Sequence, residues 1–135
     1  MVPVSILLAV MTFKISRTVY SAIHFSYGYA LVPPDVYFDP STGGFTVMAW
    51  VKLSSLDSWM RFIDFGNAQS ILVGINTKKN LIFVLRINGV DTFRKDYTEL
   101  SVSSWFHFSI SVSITMSKVT FYLDGANEIS HILPG

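Results

Sequence analysis

Apolar and polar residues alternate along most of the chain after position 45, as expected of β-strands that bury one face. The clearest run covers residues 105–114, where phenylalanine, isoleucine and valine alternate with tryptophan, histidine and serine. Residues 45–52 alternate in the same way and are rich in β-branched and aromatic side chains. No segment has the helical spacing of apolar positions that marks an amphipathic helix. The pattern therefore predicts an all-β protein.

Further strands are predicted between short polar connections. They cover residues 60–65, 70–75, 81–87, 90–95, 119–124 and 127–133, with a weaker candidate at 29–32. Asn88-Gly89 favours two successive positive φ angles, as in a tight hairpin, so the strands on either side should pair antiparallel. Asp124-Gly125 is a second hairpin signal. Short strands separated by turns at regular spacing predict an antiparallel two-sheet jelly-roll sandwich.

Composition narrows the classes of function. The chain has 135 residues, of which 50% are hydrophobic, which is enough for one domain with a substantial core. Charged residues make up 14% and the formal net charge is +1, so the chain lacks the basic excess of a nucleic-acid-binding protein. The absence of cysteine excludes disulfides and thiolate metal sites.

The N-terminal segment allows two interpretations. Residues 2–13 are almost all apolar but fall short of the roughly 20 residues that span a bilayer, so no transmembrane span is predicted. Residues 1–22 either form a secretory signal peptide or contribute a buried strand, and a misassigned start would look much the same as the strand. The nearest basic residues follow the apolar stretch instead of preceding it, which counts against the signal peptide. The folded domain is expected to span residues 23–135.

Four segments occur in the order and spacing of a known domain family. They are FTVMAWVK at 45–52, the stretch at 59–67 that ends in Asp-Phe-Gly-Asn, WFH at 105–107 and FYLDG at 121–125. The preceding Gly-Tyr-Ala-Leu-Val-Pro is similar to the opening strand of the same family. On these residues the chain resembles the laminin G-like domains of the concanavalin A-like lectin/glucanase superfamily.

The resemblance implies a noncatalytic recognition or adhesion module of an extracellular or cell-surface protein, with a glycan or an extracellular protein as its ligand. It also implies further strands after the hairpin at 121–125, so the C-terminal strands are expected to be missing unless the apolar N-terminal run replaces part of them. Two alternatives stay open. One is a structural sandwich domain of a larger surface protein, and the other is a glycoside hydrolase whose catalytic carboxylates lie outside this fragment.

The carboxylates of the chain argue against an enzyme. The glucanases of this superfamily place two catalytic carboxyl groups on one strand in a Glu-x-Asp-x-Glu pattern. Glu99 and Glu128 are the only glutamates here, and neither has an acidic residue two positions away. No serine lies in a Gly-x-Ser-x-Gly elbow either. We therefore assign no catalytic residue and predict that the chain is not an enzyme.

Ligand-binding candidates come from one predicted loop system. Sugar binding uses an aromatic face for stacking, with amide, carboxylate or guanidinium groups for the hydroxyls. Trp59, Arg61, Asn67 and Gln69 lie in or beside this loop system and are the candidate ligand contacts. Each also has a structural interpretation, with Trp59 as a partly buried edge residue and Arg61 as a solvated strand charge.

No cofactor is predicted. Some laminin G-like domains bind calcium, which requires several oxygen ligands. The loops offer such groups, but without the spacing of a calcium loop: Asp57, Asp64, Asn67, Asp91 and Asp96. The three histidines are far apart in sequence and lack the spacing of zinc ligands. We therefore assign no metal ligand, although two distant loops could still converge on calcium.

Overall fold

The computed structural model describes residues 4–8, 23–25, 30–31, 43–66, 70–125 and 127–133. These residues form ten β-strands and no helix, so none of the segments described is a helix capable of crossing a membrane. The strands are β1 Val4–Leu8, β2 Ile23–Phe25, β3 Gly44–Leu53, β4 Arg61–Asp64, β5 Ser70–Ile75, β6 Asn80–Ile87, β7 Val90–Glu99, β8 Trp105–Ser113, β9 Lys118–Leu123 and β10 Asn127–Ile132.

Six strands form one sheet in the order β10-β9-β8-β3-β1-β2. The β3–β8 ladder is antiparallel and unbroken from Gly44 opposite Ser113 to Lys52 opposite Trp105. One face of β3, β8 and β9 is buried, and Val51, Ile110 and Phe121 are each 0% exposed. Along β8 buried and more exposed residues alternate, which confirms the predicted two-faced strand.

Four strands form a second antiparallel sheet in the order β4-β5-β6-β7. Residues 81–85 of β6 are all buried, so this strand is covered on both faces. The ladder is irregular in three places. Between Arg61 and Ile63, β4 has one residue more than β5, and β7 twice has one residue more than β6. All the extra residues of this sheet therefore lie in its two outer strands, which bulge locally.

Two hairpin predictions are confirmed by the backbone. Asn88 and Gly89 have φ angles of 52° and 77°, and Asp124 and Gly125 have φ angles of 50° and 68°. These left-handed residues are what the tight turns require. The weaker strand prediction at 29–32 is wrong for Ala30 and Leu31, which belong to no strand, while positions 29 and 32 lie outside the described residues.

The chain divides into two compact units. One comprises Met1–Lys52 with Trp105–Gly135 and contains the six-stranded sheet, and the other comprises Leu53–Ser104 and contains the four-stranded sheet. Strand β1 pairs antiparallel with β2 in the first unit. The signal-peptide interpretation of residues 1–22 and the domain start at 23 stay predictions. The predicted fold class, all-β with two antiparallel sheets, is confirmed.

Candidate ligand-binding site

Trp59 is held in an unusual conformation at the end of the loop between β3 and β4. Its φ angle is 66°, a left-handed value that is rare for a bulky side chain. Its backbone N–H donates to the Ile75 carbonyl at 2.8 Å, and the Ile75 N–H donates to the Met60 carbonyl at 2.7 Å. The indole itself is 59% exposed. The loop therefore fixes the backbone of Trp59 to β5 while the ring faces solvent.

The connection between β5 and β6 is organised by Asn76, whose side chain is almost fully buried. Its Oδ1 accepts hydrogen bonds from the backbone N–H groups of Lys78 at 2.8 Å and Asn80 at 3.0 Å. Its Nδ2 donates to Asp96 Oδ2 at 2.8 Å. This one amide satisfies several backbone groups of the turn, in which Lys79 has a φ angle of 64°.

A third loop, between β7 and β8, is hydrogen-bonded to the end of β3. The Ser103 N–H donates to the Leu53 carbonyl at 2.6 Å, and Ser103 has a φ angle of 64°. The three loops border an open cleft of about 800 Å³, lined by residues 54–57, Lys79 and residues 100–102. The lining combines serine hydroxyls, one carboxylate, one ammonium group and apolar side chains, which suits a polar ligand with some apolar surface.

Three of the six described non-glycine residues with a positive φ angle lie in these loops. Trp59, Lys79 and Ser103 each have a positive φ angle without being glycine, and each belongs to a different one of the three loops. Such conformations cost about 1–3 kcal/mol and persist where the surrounding structure over-determines them, as at binding sites. The hydrogen bonds of Trp59 and Ser103 to distant backbone carbonyls supply that constraint.

Arg61 lies on β4 and is committed to an ion pair with Asp64. The bulge between Arg61 and Ile63 lets the side chains of Arg61 and Asp64 share one face of the strand. The Asp64 carboxylate also accepts hydrogen bonds from the Gly66 N–H at 2.8 Å and from the Ser70 hydroxyl at 2.9 Å. Arg61 therefore stabilises the end of β4 and its connection to β5.

Asn67 and Gln69 lie outside the described residues. The residues that bound their segment, Gly66 and Ser70, both bind Asp64 at the end of β4, whereas Trp59 precedes the start of that strand. Trp59 thus lies on the β3–β4 loop, whose residues 54–57 line the cleft, although Trp59 is not itself one of the lining residues. The assignment of Trp59, Arg61, Asn67 and Gln69 as ligand contacts stays a prediction.

The carboxylates considered for calcium have other partners. Asp64, Asp91 and Asp96 pair with Arg61, Arg86 and Arg94, respectively. Asp57 accepts a hydrogen bond from the Ser55 hydroxyl at 3.3 Å in the cleft loop. Within the residues that the structure describes, no three His, Asp or Glu side chains come together as a metal site would require.

Two of these carboxyl groups make stability depend on pH. Burial raises the pKa of Asp64, but the hydrogen bonds from Gly66, Ser70 and Arg61 outweigh burial, so its pKa lies below 3.8. Hydrogen bonding from Arg94 lowers the pKa of Asp96 in the same way. A carboxyl group with a depressed folded-state pKa stabilises the fold above its unfolded-state pKa. This contribution is lost as the pH falls through the folded-state value.

We therefore expect the urea midpoint to stay nearly level from neutral pH to about 5 and to fall as the pH drops below the unfolded-state pKa of these carboxyl groups. Asp64→Asn should lower the midpoint at neutral pH and flatten this decline, because the substituted side chain no longer titrates. Asp124→Asn serves as a comparison, since Asp124 has no arginine partner in the described contacts. If the urea midpoint of Asp64→Asn declined with pH in parallel with that of the unmodified chain, Asp64 would not be a source of the pH dependence.

Comparison with known proteins supplies the family. A model of laminin G-like domains in the concanavalin A-like lectin/glucanases superfamily matches residues 25–135. Such domains bind glycans or proteins, are generally noncatalytic and are typically extracellular, although the superfamily includes glycosidases. No curated protein and no solved structure matches the chain. Because the match runs through both sheets and covers most of the sequence, the chain belongs to the laminin G-like family of the concanavalin A-like superfamily.

Proposed function

We propose that this chain is a noncatalytic recognition or adhesion module of an extracellular or cell-surface protein, and that it binds a carbohydrate or an extracellular protein through the loops around Trp59. The observation that carries the proposal is the exposed indole of Trp59, which a strained and hydrogen-bonded backbone presents to solvent on the same loop whose residues 54–57 line the open cleft. Because the backbone is already fixed, only the side-chain rotamer of Trp59 has to be ordered on binding.

The chemistry of the cleft suits recognition better than hydrolysis. The two glutamates belong to different sheets, since Glu99 ends β7 and Glu128 lies on β10. Asp64 is ionised and held by Arg61, so it is not available as a general acid. By contrast, the serine hydroxyls, Asp57 and Lys79 around the cleft offer both hydrogen-bond donors and acceptors to a ligand.

The first experiment screens the chain on a glycan array and against immobilised extracellular-matrix proteins, each with calcium and with a chelator. We expect binding to at least one glycan or one matrix protein. Comparison of the two conditions shows whether a calcium ion takes part. Silence on both surfaces, with and without calcium, would overturn the proposal in favour of a purely structural domain.

Trp59→Ala should raise the Kd for the ligand so found by at least about tenfold, because an exposed aromatic anchor supplies a large share of binding energy. The matched control is Val90→Ala. Val90 is 66% exposed and follows the Asn88-Gly89 hairpin, at the end of β6 remote from the cleft turn. Equal affinities for the two variants, measured by isothermal titration calorimetry, would remove Trp59 from the site.

A further inference from the structure

A second aromatic surface lies on the solvent-exposed face of the six-stranded sheet. Trp50 on β3 and Trp105 on β8 are each 45% exposed. Trp50 lies directly opposite His107, and Lys52 lies directly opposite Trp105. Residues opposite each other in an antiparallel ladder project from the same face, so the two indoles are diagonal neighbours. We call this surface, formed by Trp50, Trp105, His107 and Tyr122, the tryptophan face.

Contacts with neighbouring residues fix Trp50 and His107 on the tryptophan face. The rings of Trp50 and His107 pack with centroids 5.1 Å apart at a tilt of 54°. The backbone N–H of His107 donates to Asp124 Oδ1 at 2.7 Å, and the Asp124 N–H donates to the His107 carbonyl at 2.8 Å. These contacts and the unbroken β3–β8 ladder position the Trp50 indole before any ligand arrives, which lowers the entropy cost of binding.

Hydroxyl groups follow the indoles farther along the same face. Ser109 lies between Met48 on β3 and Tyr122 on β9, and each of these pairs is directly opposed. Farther along the ladder the Thr46 hydroxyl donates to the Ser111 hydroxyl at 3.2 Å. A hydroxyl both donates and accepts hydrogen bonds, so this row offers both functions to a ligand lying along the sheet.

The face is also poor in charge. Along the described strands β3, β8 and β9 only Lys52 and Lys118 carry a permanent charge on this face, and on β10 Glu128 lies opposite Tyr122 in the ladder. The two lysines sit at opposite ends of β8, since Lys52 opposes Trp105 and Lys118 opposes Ser113. An anionic ligand would require clustered basic groups, which this arrangement does not provide.

We propose that the tryptophan face binds a neutral polysaccharide, with sugar rings stacked on Trp50 and Trp105 and sugar hydroxyls bonded to Ser109 and its neighbours. A pyranose offers an apolar C–H face and a rim of hydroxyls, and this surface offers aromatic rings and hydroxyls to bind them. The fully buried core of a protein interface is more apolar than the surrounding surface, whereas on this face Ser109 and Ser111 follow the aromatic residues along β8. The site belongs to the compact unit that does not contain Trp59, and the proposal does not depend on the Trp59 loops.

The three tryptophans of the chain make the two sites separately observable. Trp59→Phe leaves Trp50 and Trp105 as the only indoles, so its tryptophan fluorescence reports on the tryptophan face. The double variant W50F/W105F leaves Trp59 alone, so its fluorescence reports on the cleft. Titration of the first variant tests this proposal, and titration of the second tests the proposed function.

The probes are a soluble β-glucan, xylan and galactomannan, with insoluble cellulose and chitin in a pull-down and heparin as the anionic comparison. We expect at least one neutral polysaccharide to change the fluorescence of the Trp59→Phe variant and to retard the chain in affinity electrophoresis. W50A/W105A should weaken that binding at least tenfold. Met116→Ala, which removes an exposed apolar side chain from the turn between β8 and β9, should leave binding unchanged.

Several results would overturn the proposal. They are the failure of every neutral polysaccharide to bind, unchanged affinity in a folded W50A/W105A variant, and tighter binding of heparin than of the neutral polymers. Self-association that W50A/W105A abolishes would assign the face to a second copy of the chain instead. Should W50A/W105A not fold, Ser109→Glu adds a carboxylate beside the intact indoles and should abolish the binding. Binding that survives this change would also refute the proposal.

Discussion

Phe121→Ala is expected to lower the free energy of unfolding by about 3–5 kcal/mol. Phe121 is 0% exposed, and its neighbours across the ladder are Ile110 on β8 and Ile129 on β10. Truncation removes the apolar contacts of the ring and leaves a cavity that the surrounding β-ladder can only partly close. Small domains are stable by about 5–15 kcal/mol, so the variant should lose much of its stability. Urea denaturation followed by tryptophan fluorescence measures the change.

Two further variants serve as controls for Phe121→Ala. Phe121→Leu keeps much of the buried volume and should cost less than the alanine substitution. Ile132→Ala alters a side chain that is 63% exposed on the neighbouring strand and should change stability by no more than about 0.5 kcal/mol. If Phe121→Ala cost no more than Ile132→Ala, the packing described for the buried face of β9 would be incorrect.

Gly44→Ala should destabilise the chain by about 3 kcal/mol, because it combines two separate penalties. Gly44 has a φ angle of 145°, which side-chain-bearing residues rarely adopt. A Cβ atom there would also collide with the backbone carbonyl oxygen of Val112, which belongs to the paired strand β8. Relief requires β3 and β8 to separate where their ladder begins, so the unfolding midpoint should fall markedly.

Substitutions at two other glycines measure the backbone penalty and the steric penalty separately. Gly89 has a φ angle of 77° and open space around its Cβ position, so Gly89→Ala carries the backbone penalty alone, about 1 kcal/mol. Gly74 has no positive φ angle, but a Cβ atom there would collide with the Met60 carbonyl, so Gly74→Ala carries the steric penalty alone. We expect Gly44→Ala to exceed each of them in urea denaturation. If Gly44→Ala and Gly89→Ala lowered the free energy of unfolding equally, β3 and β8 would separate at Gly44 at little cost, which would contradict the prediction.

Much of the sheet structure was predictable because alternation and turn residues are local signals. The strand at 70–75 was predicted with the bounds of β5, since a polar turn follows it and buried residues fill it. The strand predicted at 90–95 continues to Glu99 in β7. Its two bulges change which residues share a face, so the simple alternation stops before the strand does.

The binding surfaces were less predictable. Trp59 stood out as an aromatic residue in a loop, but the cleft is lined by three loops that are far apart in sequence. Alternation places Trp50 and Trp105 on the polar face of their strands. Only the register of β3 against β8 shows that they are neighbours. Contacts between distant segments leave no periodic signal in a single sequence.

The bulges in β4 and β7 also bear on how the chain behaves at high concentration. An extended segment from another molecule adds to a sheet when it meets evenly spaced N–H and C=O groups. The extra residues disturb that spacing along both outer strands of the four-stranded sheet, and Arg61, Arg94 and Lys95 add charge beside them. Fibril growth from the Leu53–Ser104 unit is thereby opposed by its two least regular strands, while the regular strands β5 and β6 remain enclosed between them.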